Sequence, residues 1–406
     1  MLKKLLLYFF LYLYSLGFAQ KEANIWMIER GNGLDFFDDT ARFYGGCKLG
    51  DNETSSSICD KDGNLLFYTN GILVYNRFHE LVKNGTGLGF PLTQNESTSF
   101  QGSLILKHPL NDSIMYIFST DYRGQQGGLV YSELSIHGNN DSGLILKKKI
   151  RLTSNVNESI QAINHQNGLD IWILAHGYGN NTFNSFLLTT YGLLNCTILQ
   201  NLGFTHSTFS GSSAQVGLKV TSNGKFLIHN DINLGKLEIL KFNTLNSKLQ
   251  INKTYSKNYS YMQEFSASNA FLYLNYLDSF IQIDINSNRR FKFNNINSSQ
   301  SIGQTQLGND GKLYGIIANS KDLMKLNNPD SFGSKTDMKI IRNFFSNSIS
   351  TSLPNFNQSY FYTPALDYSY QLDCRSNNIE LWGKDTLKPI SFSGACANCI
   401  QTTPLL

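Results

Sequence analysis

Charge is scarce in this sequence. Asp, Glu, Lys and Arg make up 16% of the 406 residues, against about a quarter in an average soluble chain. The 34 basic and 30 acidic residues leave a formal net charge of +4. That balance excludes a strongly basic nucleic-acid binder and an acidic solvating tail. Proline is sparse, at 7 residues. No segment carries a long 3.6-residue apolar period with good caps, so little helix is expected. No Gly-x-Ser-x-Gly nucleophile motif or Walker loop occurs. Beyond residue 19, no run is apolar for long enough to span a bilayer as a helix.

What is present points to strands. Apolar residues reach 41%, and 28 Phe and 21 Tyr bring aromatics to 13%. That is enough for a sizeable core and argues against disorder. Polarity comes from Asn, Ser, Thr, Gln and Gly rather than from charge. Aromatic and β-branched residues favour strands over helices.

The first residues stand apart. Lys3 and Lys4 precede the nearly continuous apolar stretch Leu5 to Ala19, with Gly17 and Ala19 at the −3 and −1 positions before Gln20. This predicts a secretory signal peptide over 1–19, cleaved between Ala19 and Gln20. The alternative is a membrane anchor, but a helix of that length reaches only about 22 Å, short of the roughly 30 Å hydrocarbon core. No Cys follows the stretch, which argues against a lipoprotein. The expectation is an exported chain at the cell surface, outer membrane or medium, with the periplasm as alternative. It has no membrane span once cleaved.

Export makes disulfides possible for the six cysteines. Cys47 and Cys59 flank a polar loop and form the best candidate pair. Cys396 and Cys399 form a Cys-x-x-Cys with Cys374 upstream, but a zinc site needs four ligands and no second pair lies near. No βαβ setting supports a redox motif. Cys196, in the apolar stretch Leu193 to Leu199, is expected to be buried and inert.

The body of the chain repeats. Asp62-Gly63-Asn64 leads into Leu65-Leu66-Phe67-Tyr68, Asn111-Asp112-Ser113 into Ile114 to Phe118, and Asn167-Gly168 into Ile171 to Leu174. Asn223-Gly224 leads into Phe226 to Ile228, Ser268-Asn269 into Phe271 to Leu274, and Asp310-Gly311 into Leu313 to Ile317. Asn24 to Ile28 is a similar run without the leading turn. The Gly-containing dipeptides supply φ > 0 for tight hairpins, and each run reads as a buried strand. Further strands are expected at Ile72 to Tyr75, Ser103 to Leu106, Ser185 to Leu188, Leu237 to Leu240 and Phe280 to Asp284. The runs recur every roughly 40 to 56 residues, near the period of a four-stranded propeller blade. The expected fold is an all-β propeller over 20–361, with seven blades and with six or eight as alternatives, followed by a tail over 362–406. A pair of β-sandwiches would not give one strong aromatic run per repeat.

Several words resemble one family. They include Asn24-Ile25-Trp26, Gly33-Leu34-Asp35-Phe36, Gly63 to Gly71, Asn84 to Leu88, Asp170 to Gly177, Gln306 to Tyr314 and Leu353-Pro354-Asn355-Phe356 to Phe361. In this order they resemble the propeller module that opens many large surface proteins of gliding Bacteroidetes. Those proteins are associated with gliding motility and type IX secretion, and the module carries no catalytic motif. The resemblance implies immunoglobulin-like or PKD repeats and a sorting domain further on. Residues 362 to 406 look like the start of such a domain, with Ile379 to Trp382 as its first strand. The family's first-blade Cys is matched by Ser55.

No constellation for chemistry emerges. His165, His176, His206 and His229 fall in different repeats without metal-ligand spacing and read as packing residues. Asp60-Lys61-Asp62-Gly63-Asn64 lacks the bidentate Glu of a calcium loop and reads as a hairpin. Asp35, Asp38, Asp39 and Glu264 are candidates for a paired-carboxylate glycosidase by type only. Lys147-Lys148-Lys149 reads as a guarded strand edge. Aromatics interleaved with Asn and Gly allow glycan stacking, although most should pack between blades. Thr40, Ser113 and Thr386 match the short O-glycosylation acceptor pattern of Bacteroidetes. The reading is a non-enzymatic propeller without cofactor or metal. Its partner would be a surface polysaccharide or protein, with a secreted carbohydrate-active enzyme or a fragment of a larger adhesin as alternatives.

Overall fold

A computed structural model describes residues 20–38, 40–50, 53–91, 97–124, 126–206, 216–256, 263–276, 279–293 and 301–362, and the backbone of 368–373, 378–383 and 390–393. The chain divides into two compact units, and the larger is Gln20–Phe361. Ala19 and Thr386 lie outside the described residues, whereas Gln20 and Thr40 are exposed and Ser113 is half-buried in a turn.

The larger unit is a seven-bladed β-propeller. Blade 1 holds β1 (Ile25–Met27), β2 (Gly33–Asp35) and β3 (Arg42–Phe43), and blade 2 holds β4 (Ser56–Cys59), β5 (Leu65–Thr69) and β6 (Val74–Asn76). Blade 3 holds β7 (Ser103–Lys107), β8 (Ile114–Thr120), β9 (Leu129–Ser135) and β10 (Leu144–Thr153). Blade 4 holds β11 (Val156–Asn164), β12 (Ile171–Gly177) and β13 (Thr182–Thr189), with β14 (Gly192–Leu193) and β15 (Ile198–Asn201) both paired to β13. Blade 5 holds β16 (Val216–Val220), β17 (Phe226–Asp231), β18 (Lys236–Phe242) and β19 (Leu249–Ser256). Blade 6 holds β20 (Gln263–Phe265), β21 (Phe271–Tyr276), β22 (Ser279–Asp284) and β23 (Arg290–Phe293). Blade 7 holds β24 (Ile302–Leu307), β25 (Leu313–Ile317), β26 (Leu323–Leu326) and β27 (Met338–Ile341). First strands of successive blades touch, so they surround the axis.

The aromatic runs are the second strands of blades 2 to 7, where both faces pack against neighbouring blades. The turns before them are wider than two-residue hairpins. In five of the six, all but that of blade 3, one residue three positions on sits at positive φ and donates its N–H back: Gly63 to Asp60, Gly168 to His165, Gly224 to Thr221, Asn269 to Ser266 and Gly311 to Gly308. The Asp60 carboxylate takes the N–H groups of Asp62 and Asn64, the hairpin role expected of it. One expected strand starts late. The Asn70 side chain accepts the N–H groups of Ile72 and Leu73, which holds these two in a turn, and β6 begins at Val74.

Apolar packing fills the spaces between blades. The largest cluster joins blade 1 to blade 7: Trp26 lies 4.8 Å from Phe36, 6.2 Å from Tyr314, 5.8 Å from Phe356 and 6.5 Å from Phe361 between ring centres. Ring closure uses no shared strand pair between β1 and β24 among the described residues. The inner edge of β1 is met instead by β4 side chains, with Ser57 Oγ donating to Ile25 O at 2.6 Å. The chain after β27 then seals the ring. Gln304 N–H donates to Thr351 O at 2.7 Å, and Ser350 binds the buried Glu29 carboxylate. Asn355 N–H reaches Ser55 O, and parallel bridges join Ser55 to Pro354 and Ala162 to Asn357. Residues 353–361 thus run along the axis, parallel to the first strands.

Two expectations need correction. Cys47 and Cys59 share one apolar cluster but are free thiols, not a disulfide. The Cys59 sulfur instead accepts the Ile25 N–H at 3.4 Å. Cys196 is exposed rather than buried, because it lies between β14 and β15 on the outer edge of blade 4, where only one side faces the core. In the smaller unit, β28 (Tyr368–Asp373), β29 (Asn378–Gly383) and β30 (Ile390–Ser393) form an antiparallel meander. Ile379 to Trp382 is therefore in its middle strand, not its first. Among the described residues no helix is long and apolar enough to cross a membrane.

Asn355 is the densest polar joint of the axial segment. Its amide donates to Ile160 O at 2.8 Å and Gln101 O at 3.3 Å and accepts from Gln161. Asn355→Ala leaves these buried partners unpaired and should lower unfolding free energy by about 2–4 kcal/mol in guanidinium titration. Asn195→Ala, at an exposed position outside any strand, serves as reference.

Candidate functional site

The interior near the axis is polar, because the first strands turn Ser, Thr, Asn, Gln, Lys and Glu inward. Lys219 on β16 and Glu264 on β20 are both buried, with Lys219 Nζ 2.6 Å from Glu264 Oε2. The ammonium also donates to Gln306 Oε1 on β24 at 2.9 Å. The carboxylate takes the N–H groups of Phe265 at 2.9 Å and Leu307 at 3.1 Å. Burial pushes the Lys219 ammonium down and the Glu264 carboxyl up, and the ion pair opposes both shifts. Blades 5, 6 and 7 are thereby pinned to one another.

Glu158 on β11 holds the connection side of blades 3 and 4. Its oxygens accept the Phe100 N–H at 2.8 Å and the Arg123 N–H at 2.7 Å. Burial raises its pKa to about 7 in spite of these bonds. Both oxygens are occupied by backbone, so the group orders loops rather than facing outward.

The candidate carboxylates for glycoside chemistry have separate partners. Asp35 accepts the Phe37 N–H, Asp38 pairs with Arg42 at an exposed position, and Glu264 is sealed on the axis. Asp39 lies outside the described residues. The Lys run sits on β10, the outermost strand of blade 3, which register shifts interrupt against β9. Lys and bulges there protect an exposed edge, as the sequence suggested.

Of the four histidines singled out, the structure gathers three. His176 on β12 stacks on His229 of β17, with ring centres 4.1 Å apart, and His206 lies 6.3 Å from His176. Phe204 stacks on the other face of His229 at 4.3 Å. His206 Nε2 is 3.3 Å from Asp231 Oδ2, and His229 Nδ1 is 3.7 Å from Glu238 Oε2. All three imidazoles are buried at the seam of blades 4 and 5. Two of them lie face to face, so their nitrogen lone pairs do not converge. Among the described residues no group is arranged to hold a metal ion. His165 is separate: its Nε2–H donates to Leu245 O at 2.8 Å, and it packs on Trp172. Sequence spacing missed the cluster because its members come from two second strands and a blade connection, brought together only when adjacent blades pack.

Cys47 and Cys59 are held as neutral thiols, since burial pushes each up to about 12.

No protein-family model matches the chain, and no curated protein matches it. Many solved structures show a distant likeness. A candidate 6-phosphogluconolactonase from Bacteroides fragilis shares 12% identity over 81% of this chain and 91% of its own, with a TM-score of 0.40. Streptogramin B lyase shares 9% over 89% and 91%, with a TM-score of 0.38. The propeller domain of Cps50 (Swd1) from Myceliophteria thermophila shares 10% over 73% and 93%, with a TM-score of 0.40. Likenesses this remote carry no inference about chemistry.

Two outcomes follow from the interior. Lys219→Met strands a buried carboxylate and should cost about 3–5 kcal/mol of stability at neutral pH. The deficit should shrink towards pH 5, as Glu264 takes up a proton, and Lys219→Met/Glu264→Gln should recover at least half of it; denaturant titration at both pH values checks this. In alkylation of the native protein followed by peptide mapping, Cys196 should react at least a hundredfold faster than Cys47 or Cys59, whose thiolate populations are negligible at pH 8.

Proposed function

We propose that this protein is an exported, non-enzymatic binding module whose connection face recognises a surface polysaccharide or a surface protein. The observation that carries the reading is the contrast between the two faces. On one face, the first-to-second-strand turns repeat nearly the same geometry at 60–64, 165–170, 221–226, 266–271 and 308–312. On the other, the connections between blades differ widely, from residues 154–155 before β11 to residues 77–102 before β7. Uniform turns serve the scaffold, whereas varied loops on a rigid scaffold serve recognition. The buried axial segment and the paired interior support a rigid disc that binds with its loops. The resemblance of the sequence words to the opening propeller of gliding and type IX secretion-associated surface proteins supports the same reading. So does the predicted signal peptide at 1–19.

The test uses immobilised protein from Gln20 onward, challenged separately with polysaccharide and protein fractions shed from native cells. Retention of one fraction is expected. Tyr122→Ala/Arg123→Ala, on the connection face, should weaken it at least tenfold, whereas Asn167→Ala on the turn face should leave it unchanged. No retention of either fraction, or equal loss with both variants, would overturn the reading. Protease shaving of intact cells adds the location: protection from external protease would exclude a surface role.

A further inference from the structure

The buried imidazoles between blades 4 and 5 have no part in the binding reading, yet they are costly to bury. Each comes from a different packed element: His176 from β12, His229 from β17 and His206 from the connection after β15. The cluster's surroundings are limited. Asp231 faces His206 and Glu238 faces His229. Lys236 on β18 lies 6.0 Å from the Phe204 ring and acts on Glu238. Tyr178 lies 6.1 Å from His206, Asn157 on β11 reaches His176, and Phe183 packs against both His176 and His229.

Among the described residues no carboxylate pairs with His176. Its Nδ1–H donates to Gly177 O at 2.9 Å, which fixes the tautomer and leaves the Nε2 lone pair buried without a hydrogen-bond partner among the described residues. A proton arriving at Nε2 would place a charge against the stacked His229 ring, in a fully buried site. The carboxylates of Asp231 and Glu238 can balance charge on His206 and His229, but among the described residues no further carboxylate balances a third. The segment over the stack is held by the Leu202 N–H bond to Asn181 O and the His206 N–H bond to Asn180 O, both at 2.9 Å, by the Phe204 N–H bond to the Glu238 carboxylate, and by Phe204 resting on His229.

We infer that this stack is a proton-responsive latch: when His176 and His229 become charged, blades 4 and 5 part on the connection face and the 202–206 segment lifts. The inference is independent of what that face binds. The sign follows from burial. Burial first, and the neighbouring imidazoles second, hold His176 and His229 well below the usual imidazole range. The closed seam therefore binds fewer protons than the open one below about pH 6.5, so closure weakens as pH falls, by up to about tenfold per pH unit for each histidine. Buried carboxyls act in the opposite sense. Glu238 and Glu264 are raised, and Glu158 is raised to about 7, so their protonation in the fold strengthens it as pH falls. A global melting curve mixes the two, and a local probe separates them.

Hydrogen exchange with mass spectrometry at pH 7.5 and 5.0, corrected for intrinsic rates, is that probe. Peptides covering 171–177, 202–206 and 226–231 should lose protection tenfold or more at pH 5.0, while β5 and β8 change less than threefold. His229→Phe keeps a ring between Phe204 and His176 but cannot be charged, and should reduce the pH effect below threefold. Equal protection at both pH values, equal loss in every blade, or undiminished loss in His229→Phe would overturn the proposal. Zinc chloride protecting the same peptides at pH 7.5, only when His229 is present, would overturn it in favour of a metal site. If the variant does not fold, histidine NMR titration of the native protein decides: two imidazoles still neutral at pH 5.5 are expected, and normal titration of all seven histidines near pH 6.5 would overturn it.

Discussion

Closure of the ring rests on residues 346–361. The blades between the first and the last each have neighbours on both sides, but blade 1 and blade 7 must find each other across the whole length of the chain. Here they do so through aromatic packing around Trp26 and a segment that returns along the axis. Asn32 takes the N–H groups of Ser346 and Asn347 on blade 1, Gln304 anchors Leu353 on blade 7, and Asn164 is bound by Ser359 and Asn357 on blade 4. Each bond is modest, at about 1 kcal/mol. Leu353, Phe356 and Phe361 add about 1.5–3 kcal/mol each by burial. Together they join strands that local structure alone would leave apart.

This closure shapes the rest of the interior. A segment with Asn, Gln and Ser side chains on the axis needs polar partners; the first strands supply Gln161, Asn164 and Gln304, and the turn before β7 supplies the Gln101 carbonyl. The Lys219–Glu264 pair follows the same logic on the far side of the axis, where backbone N–H groups and Gln306 complete its hydrogen bonding. Low charge in the sequence fits this arrangement: amides and hydroxyls can be buried at lower cost than ions when each finds a partner. Lys219, Glu264 and Glu158 carry shifted protonation as a result of burial.

Much of the fold was legible because a blade is a local object. Each polar turn, four of them Asn-Gly or Asp-Gly, is adjacent in sequence to the apolar run after it, and six such runs became the second strands of blades 2 to 7. The details that failed were set by side-chain capping or by position within a blade. Asn70 held Ile72 and Leu73 in a turn, and an outermost edge exposed Cys196. Cys47 and Cys59 were correctly placed together but not bonded, since sequence proximity fixes neighbourhood and not the distance between sulfurs.

The sequence by itself determined the all-β class and the repeat, because strand patterning and turn chemistry are written in consecutive residues. Tertiary structure alone decided which distant polar groups meet. Residues 176, 206 and 229 meet only because blades 4 and 5 pack side by side, and Lys219 finds Glu264 only around the axis. Such contacts depend on the ring being closed, a condition that no window of the sequence contains.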